Sequence, residues 1–376
     1  MSGIDFSSFL KLMVHRKASD LFITSGVAPS IKVHGRLQPI TQSPLTPPQA
    51  RDMVLNVMTP SQREEFEKTH ECNFAISMQG VGRFRVSCFY QRNQVGMVLR
   101  RIETRIPTID ELHLPQIAKT LAMTKRGLVM MVGATGTGKS TSLAAIIGYR
   151  NQNSSGHIIT IEDPIEFVHR HEGCIVTQRE VGIDTDSWEN ALKNTLRQAP
   201  DVIMIGEVRT RETMEHAIAF SETGHLVLCT LHANNANQAL DRVIHFFPID
   251  RRPQLLMDLS LNLKGIVAQQ LVPTPDGKGR RVVMEVMLGT PLAQDYIRDG
   301  EIHKIKELMK ESTNLGMQTF DQHLVELYHA GEIAYEEALR HADSQNEVRL
   351  RIKLAQGGDA HSLSAGLDGV ELMEST

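Results

Sequence analysis

The run Gly133-Ala134-Thr135-Gly136-Thr137-Gly138-Lys139-Ser140 constrains this chain more than any other stretch. It matches the phosphate-binding pattern G-x-x-x-x-G-K-[ST] at every position. The glycines let the backbone curl so that successive N–H groups point at one anion. Lys139 brings a cation toward the β and γ phosphates, and Ser140 offers an oxygen to Mg2+. Residues 127–132 form a short apolar run that reads as a buried strand. Residues 140–149 read as a helix whose N-terminus favours phosphate. Strand, loop and helix in that order predict a site for a nucleoside triphosphate and Mg2+.

The 376 residues are enough for two or three domains with a sizeable core. A formal net charge of -4 gives no electrostatic footprint for DNA or RNA, so no nucleic-acid partner is expected. Cys72, Cys88, Cys174 and Cys229 lie far apart without a C-x-x-C pair, which predicts reduced packing residues of a cytosolic protein. No basic segment leads into an apolar one at the N-terminus, and no apolar run nears the roughly 20 residues that span a bilayer. Any membrane role is expected to come through partners rather than insertion.

Residues 1–103 read as a small α+β domain. Phe6, Phe9, Leu10, Met13 and Val14 fall at helical spacing, and strands are predicted at 20–24, 30–33, 82–90 and 96–102. One polar helix is predicted over 49–68. Residues 104–115, with Pro107 and Pro115, read as a linker. Residues 116–270 alternate apolar strands with helices, the pattern of a parallel α/β core. A turn at 273–277 and a strand at 281–287 lead into a mainly helical region over 271–354. The tail 355–376 lacks periodicity and is expected to be disordered.

Three strands downstream of the loop end in chemistry. Residues 157–161 lead into Glu162-Asp163-Pro164-Ile165-Glu166. A carboxylate there could orient or deprotonate an attacking water, while a solvated turn is the plainer reading. Residues 201–205 end in Gly206-Glu207, either a Mg2+-holding acid or a buried strand followed by an incidental surface acid. Residues 226–231 are flanked by His225 and His232, which serve either the phosphates or ordinary packing.

These motifs, with Gln178-Arg179-Glu180-Val181-Gly182 and Leu196-Arg197-Gln198-Ala199-Pro200-Asp201 between them, occur in one order along the chain. In that order the chain resembles the type II/IV secretion ATPases, and within them the retraction-type ATPases of type IV pili, over about residues 5–345. The resemblance implies a PAS-like N-terminal α+β domain, a RecA-like P-loop NTPase core with a helical C-terminal region, and a homo-hexamer. It implies ATP binding through Gly133, Ala134, Thr135, Gly136, Thr137, Gly138, Lys139, Ser140 and Thr141, with Mg2+ near Ser140 and Glu207. Glu166 would be the general base on the lytic water, and His225 and His232 would lie close to the site. Arg85 and Arg100 would reach the phosphates of a neighbouring subunit, with Arg83 and Arg101 as alternatives.

The same resemblance implies a cytoplasmic protein at the inner face of the inner membrane. Its partners would be a sister retraction ATPase and a membrane platform protein that seats the pilus. Two departures bear on this. Ala199 stands where the retraction motors usually carry Asp, and Leu292-Ala293-Gln294-Asp295-Tyr296-Ile297 replaces their Ala-Ile-Arg-Asn-Leu-Ile. An accessory motor is therefore expected rather than one that retracts alone. The alternatives are a nucleotide-binding structural partner with little turnover and, on a related core, a nucleic-acid translocase.

Overall fold

The computed structural model describes residues 6–33, 35–102 and 105–355, which leaves the predicted tail 355–376 outside the described residues apart from Ala355. The described chain divides into two compact units. One takes Met1–Ile106 with Ile159–Gln198, the other Pro107–Ile158 with Ala199 onward. The first boundary falls inside the predicted linker. Residues 159–198, which the sequence reading places in the core, are counted with the N-terminal residues in this division, while the strands they carry belong to the seven-stranded sheet of the core.

In the first unit, helix α1 (Phe6–His15) buries Phe9, Leu10 and Met13, the stripe its spacing predicts. Strands β1 (Asp20–Thr24), β2 (Ser30–Val33) and β3 (Arg36–Pro39) follow, then helices α2 (Pro47–Asn56) and α3 (Pro60–Thr69). The single helix expected over 49–68 is thus two. Thr59 and Gln62 form a capping box, and Pro60 occupies the first turn, where its missing N–H costs nothing. That combination starts a new helix instead of continuing the old one.

Strands β4 (Glu71–Met78), β5 (Gly82–Gln91) and β6 (Gln94–Ile102) complete an antiparallel sheet of order β3-β2-β1-β6-β5-β4. The sequence reading missed β3, whose four residues are all exposed, and β4, where polar residues interrupt the alternation. On β5, Phe84, Val86 and Cys88 point to the core while Arg83, Arg85 and Ser87 take the other face.

Next come α4 (Ile117–Ala122), β7 (Gly127–Val132), α5 (Lys139–Asn153), β8 (Gly156–Glu162), β9 (Cys174–Glu180) and α6 (Trp188–Thr195). They are followed by β10 (Val202–Ile205), α7 (Arg211–Glu222), β11 (Leu226–Leu231), α8 (Ala236–Phe246) and α9 (Arg252–Asn262). After β12 (Leu263–Pro273) and β13 (Arg280–Leu288) the described chain is helical, with α10 (Pro291–Arg298), α11 (Ile305–Glu311), α12 (Phe320–His329), α13 (Tyr335–His341) and α14 (Gln345–Ala355). The seven-stranded sheet runs β13-β12-β7-β11-β10-β8-β9. Strand β11 is parallel to β7 and β10, and β12 is parallel to β7, while β13 returns antiparallel.

All residues of β7, β10 and β11 are buried, as expected of strands covered on both faces. Strand β12 crosses the sequence boundary drawn at 270/271 and belongs to the core sheet. All four cysteines are buried. No helix among the described residues is long and apolar enough to cross a membrane.

Candidate active site

Parallel strands carry their chemistry to one edge. In the second unit, Leu231 pairs with Val132 and Ile205 with Cys229, so β7, β10 and β11 share a carboxyl edge. Beyond it lie the loop 133–138, Gly206-Glu207 and His232, three of the motifs singled out by sequence.

The loop leaves β7 at Gly133, where a Cβ would stand 2.6 Å from Thr137 Oγ1 and 2.7 Å from the Gln269 carbonyl oxygen. Only glycine fits there. Lys139 opens α5 and is buried; its Nζ donates to the carbonyls of Gly133 (2.8 Å) and Ala134 (2.9 Å). Thr137 Oγ1 also donates to the Ala134 carbonyl, at 2.9 Å. Gln269 on β12 was missed by sequence. Its Nε2 donates to the Thr137 carbonyl at 2.7 Å, so the far side of the loop is tied to the neighbouring strand. Its only sequence signal is a polar pair, Gln269-Gln270, inside an apolar strand. A curled loop, a buried cation and the N-terminus of a 15-residue helix fit a polyphosphate.

Glu207 is set by the strands beneath it. The Thr230 hydroxyl donates to the Gly206 carbonyl, and the Val208 N–H donates to the Thr230 carbonyl, so the backbone on both sides of Glu207 is fixed to β11. His232 Nε2 lies 3.0 Å from Glu207 Oε1, and Arg209 donates to Oε2 at 2.6 Å. Burial opposes the charge on Glu207. The Arg209 hydrogen bond and the charges of His232, Arg209 and Lys139 outweigh it and hold the carboxyl below its usual range. A carboxylate kept ionised at the edge that bears the loop, with the charge of Lys139 acting on it, fits a hard cation such as Mg2+.

His225 stands elsewhere. It precedes Leu226, which pairs with Gly127, so it occupies the amino edge of β11, a six-residue strand away from the loop. Its Nδ1 lies 3.1 Å from both the Phe220 carbonyl and the Thr223 hydroxyl, and its own carbonyl accepts from Gly127 N–H. The expectation that both histidines sit near the phosphates is corrected here for the single chain. His225 fastens the turn between α7 and β11, and only His232 reaches the edge that bears the loop.

The remaining predicted residues belong to the first unit. Glu166 is exposed, in the segment after β8. Buried Glu162, at the end of β8, accepts from the Thr160 hydroxyl (2.6 Å) and from Gln178 Nε2 (3.1 Å), and from the Glu166 N–H. Burial raises its pKa to about 7, against the pull of those three donors and with the charge of Glu166 adding to the rise. Arg85 on β5 and Arg100 on β6 are direct cross-strand partners, and Asp20 on β1 pairs with Arg100 from the other side. Asp20 is buried and takes Arg100 Nε at 2.9 Å, while the Arg100 side chain is 72% exposed. Arg83 and Arg85 also act on Glu180, whose pKa burial raises and the two guanidinium charges pull back.

Comparison with known proteins places the whole chain in one family. The profile of the type II/IV secretion system protein family matches residues 5–340. The chain is 70% identical over 369 residues to the type IV pilus ATPase PilU of Pseudomonas aeruginosa, covering 98% of this chain and 97% of that one. Against the type IV pilus retraction ATPase PilT of the same organism, identity is 38%, over 89% of this chain and 97% of the relative. A crystal structure of the pilus retraction motor PilT with bound ADP superposes with a TM-score of 0.85 at 38% identity, covering 92% of this chain and 98% of that chain. The ATPase DotB of Legionella pneumophila gives 0.72 at 25% identity, over 90% and 95%.

Proposed function

This chain belongs to the type II/IV secretion system protein family, and from that premise we propose that it is a cytoplasmic ATPase that turns ATP hydrolysis into type IV pilus retraction. It works as a ring of six, as an accessory motor beside a PilT-type ATPase, at the inner face of the membrane through a platform protein. One observation carries the reading. The phosphate loop, Glu207 and His232 stand on a single carboxyl edge of parallel strands, where this class of sheet binds its ligands.

In this account the loop 133–138 and the first turn of α5 bind the phosphates. Lys139 exchanges its two carbonyl partners for phosphate oxygens. Ser140 and Glu207 hold Mg2+, which when bound neutralises charge on the transferring phosphoryl group. His232 orients Glu207 and faces the phosphate side. Glu166 takes the proton of the attacking water, and Arg85 and Arg100 serve the nucleotide of an adjacent subunit. The fork of Arg100 is held at Nε by Asp20 and faces solvent, which suits a residue used in trans. The linker 104–115 is the hinge. The departures at Ala199 and 292–297 favour the accessory role.

Steady-state ATP hydrolysis by the purified protein, beside Glu166→Gln, tests the reading. Turnover in the parent that falls by about 10² to 10⁴ in the variant, with ATP binding kept, is the expected result. Full turnover in the variant overturns the role of Glu166. ATP binding without turnover in either protein favours a structural partner of a sister ring.

A further inference from the structure

The motif Gln178-Arg179-Glu180-Val181-Gly182 carries no role in the account above, yet its side chains grip the segment that bears Glu166. Gln178 Nε2 donates to Glu162 Oε1 (3.1 Å) and to the Phe167 carbonyl (2.8 Å), and Gln178 Oε1 accepts the His169 N–H at 2.8 Å. Two residues along β9, Glu180 Oε2 accepts the Ile165 N–H at 3.4 Å, and the Val181 N–H donates to the Glu162 carbonyl at 2.8 Å. The grips on the segment fall on alternate residues, 165, 167 and 169. Glu166 lies between the first two, exposed, its own N–H given to the Glu162 carboxyl.

We propose that Gln178 is a positioning residue for hydrolysis: through Glu162, Phe167 and His169 it fixes the backbone from which Glu166 is presented. The proposal rests on the reading of Glu166 as general base. One primary amide spends both donors and its acceptor on a single eight-residue segment, and an apolar side chain of equal length replaces none of these bonds. Beyond Glu162, residues 163–169 carry neither helix nor strand apart from a bridge at Phe167, so their geometry is supplied from β9. Gln178 touches none of the predicted reacting groups. Its effect is therefore on the placement of Glu166, and a misplacement of about 1 Å costs on the order of 10²-fold in rate.

The test compares four full-length proteins, the parent, Gln178→Met, Glu166→Gln and the double variant, by ATP hydrolysis, ATP titration and thermal unfolding. Gln178→Met is expected to lower kcat by about 10- to 100-fold with KM and ATP affinity within about twofold. In the Glu166→Gln background the same change should alter residual turnover by less than about twofold, because the base it positions is gone. Parent-like kcat in folded Gln178→Met overturns the proposal, as does an equal fold-loss in both backgrounds or a rise in KM alone. Full turnover in Glu166→Gln by itself is a separate arm and removes the base reading instead. If Gln178→Met does not fold, Gln178→Glu replaces it. That variant keeps the acceptor for His169 and sets a carboxylate against Glu162, so kcat relative to the parent should recover in part as pH falls and a proton returns one of the two lost donors. A deficit that ignores pH overturns the proposal. The charged group in contact with this position is Glu162, on which Glu166 acts; Glu180, two residues along β9, feels Arg83 and Arg85 from β5 and Asp184 from the turn after β9.

Discussion

Glu207 and His232 leave adjacent parallel strands at the same edge and meet at 3.0 Å, Nε2 to Oε1. Neither is near the other in sequence. The contact exists because β10 and β11 are in register and Thr230 bonds the backbone on both sides of Glu207. Arg209 takes the second carboxylate oxygen, so Glu207 is oriented from two sides.

His232→Ala frees one oxygen of Glu207 without opening a buried cavity, since the imidazole is 35% exposed. The fold should survive. Turnover should fall by about 10²-fold, the scale for losing one oriented polar partner of the transition state. His225→Ala, at the opposite edge, should leave kcat within about threefold while lowering thermal stability by about 1 kcal/mol through the lost hydrogen bond. Parallel ATPase assays and melts on the two variants separate them.

Glu162 gives a pH prediction whose sign follows from its burial. Its folded pKa is raised to about 7 against an ordinary 4.5. Below about pH 4.5 the acid is protonated folded or unfolded, and the stability it contributes is fully present. Between about 4.5 and 7 the unfolded chain ionises first, so stability is lost as pH rises, up to roughly 3 kcal/mol. Glu162→Gln removes the ionisation and keeps an oxygen for the Thr160 hydroxyl. Denaturant unfolding at pH 5 and pH 8 should show a smaller loss in the variant than in the parent. Glu285, also buried and raised to about 7, titrates in both proteins and cancels in the difference.

The strand–loop–helix at 127–149, the strands ending at Glu162 and Glu207 and the strand before His232 were legible because each pairs a short apolar run with polar residues at its end. What escaped is instructive. The break between α2 and α3 was hidden because a Pro at the first turn of a new helix looks, in sequence, like a Pro inside an old one. His225 and His232 flank the same strand, and periodicity alone does not tell which strand end faces the loop; the parallel pairing of β11 with β7 does. The bonds made by Gln269 and Gln178 were not legible because their partners lie on other elements, Thr137 for one and the segment after β8 for the other. Ala199 shows the reverse case. It stands at φ +50, a left-handed conformation that Asp tolerates better than Ala, so the departure noted in sequence has a backbone cost.

Two glycines of the loop separate space from backbone freedom. At Gly133 an added methyl meets the Gln269 carbonyl at 2.7 Å and Thr137 Oγ1 at 2.6 Å. The threonine can turn away, but the carbonyl belongs to β12, which β7 and β13 hold on either side. The loop itself must move. At Gly136 the φ of +81 strains any side chain, yet nothing lies within 4 Å of the new Cβ. Gly136→Ala should therefore cost about 1 kcal/mol and weaken ATP binding by about fivefold to tenfold. Gly133→Ala should weaken it by about 10²-fold or more, because the carbonyls now bonded to Lys139 shift with the loop. Titration of both variants with a fluorescent ATP analogue decides the matter. Equal losses would mean that the loop relaxes around the methyl and that β12 does not hold it.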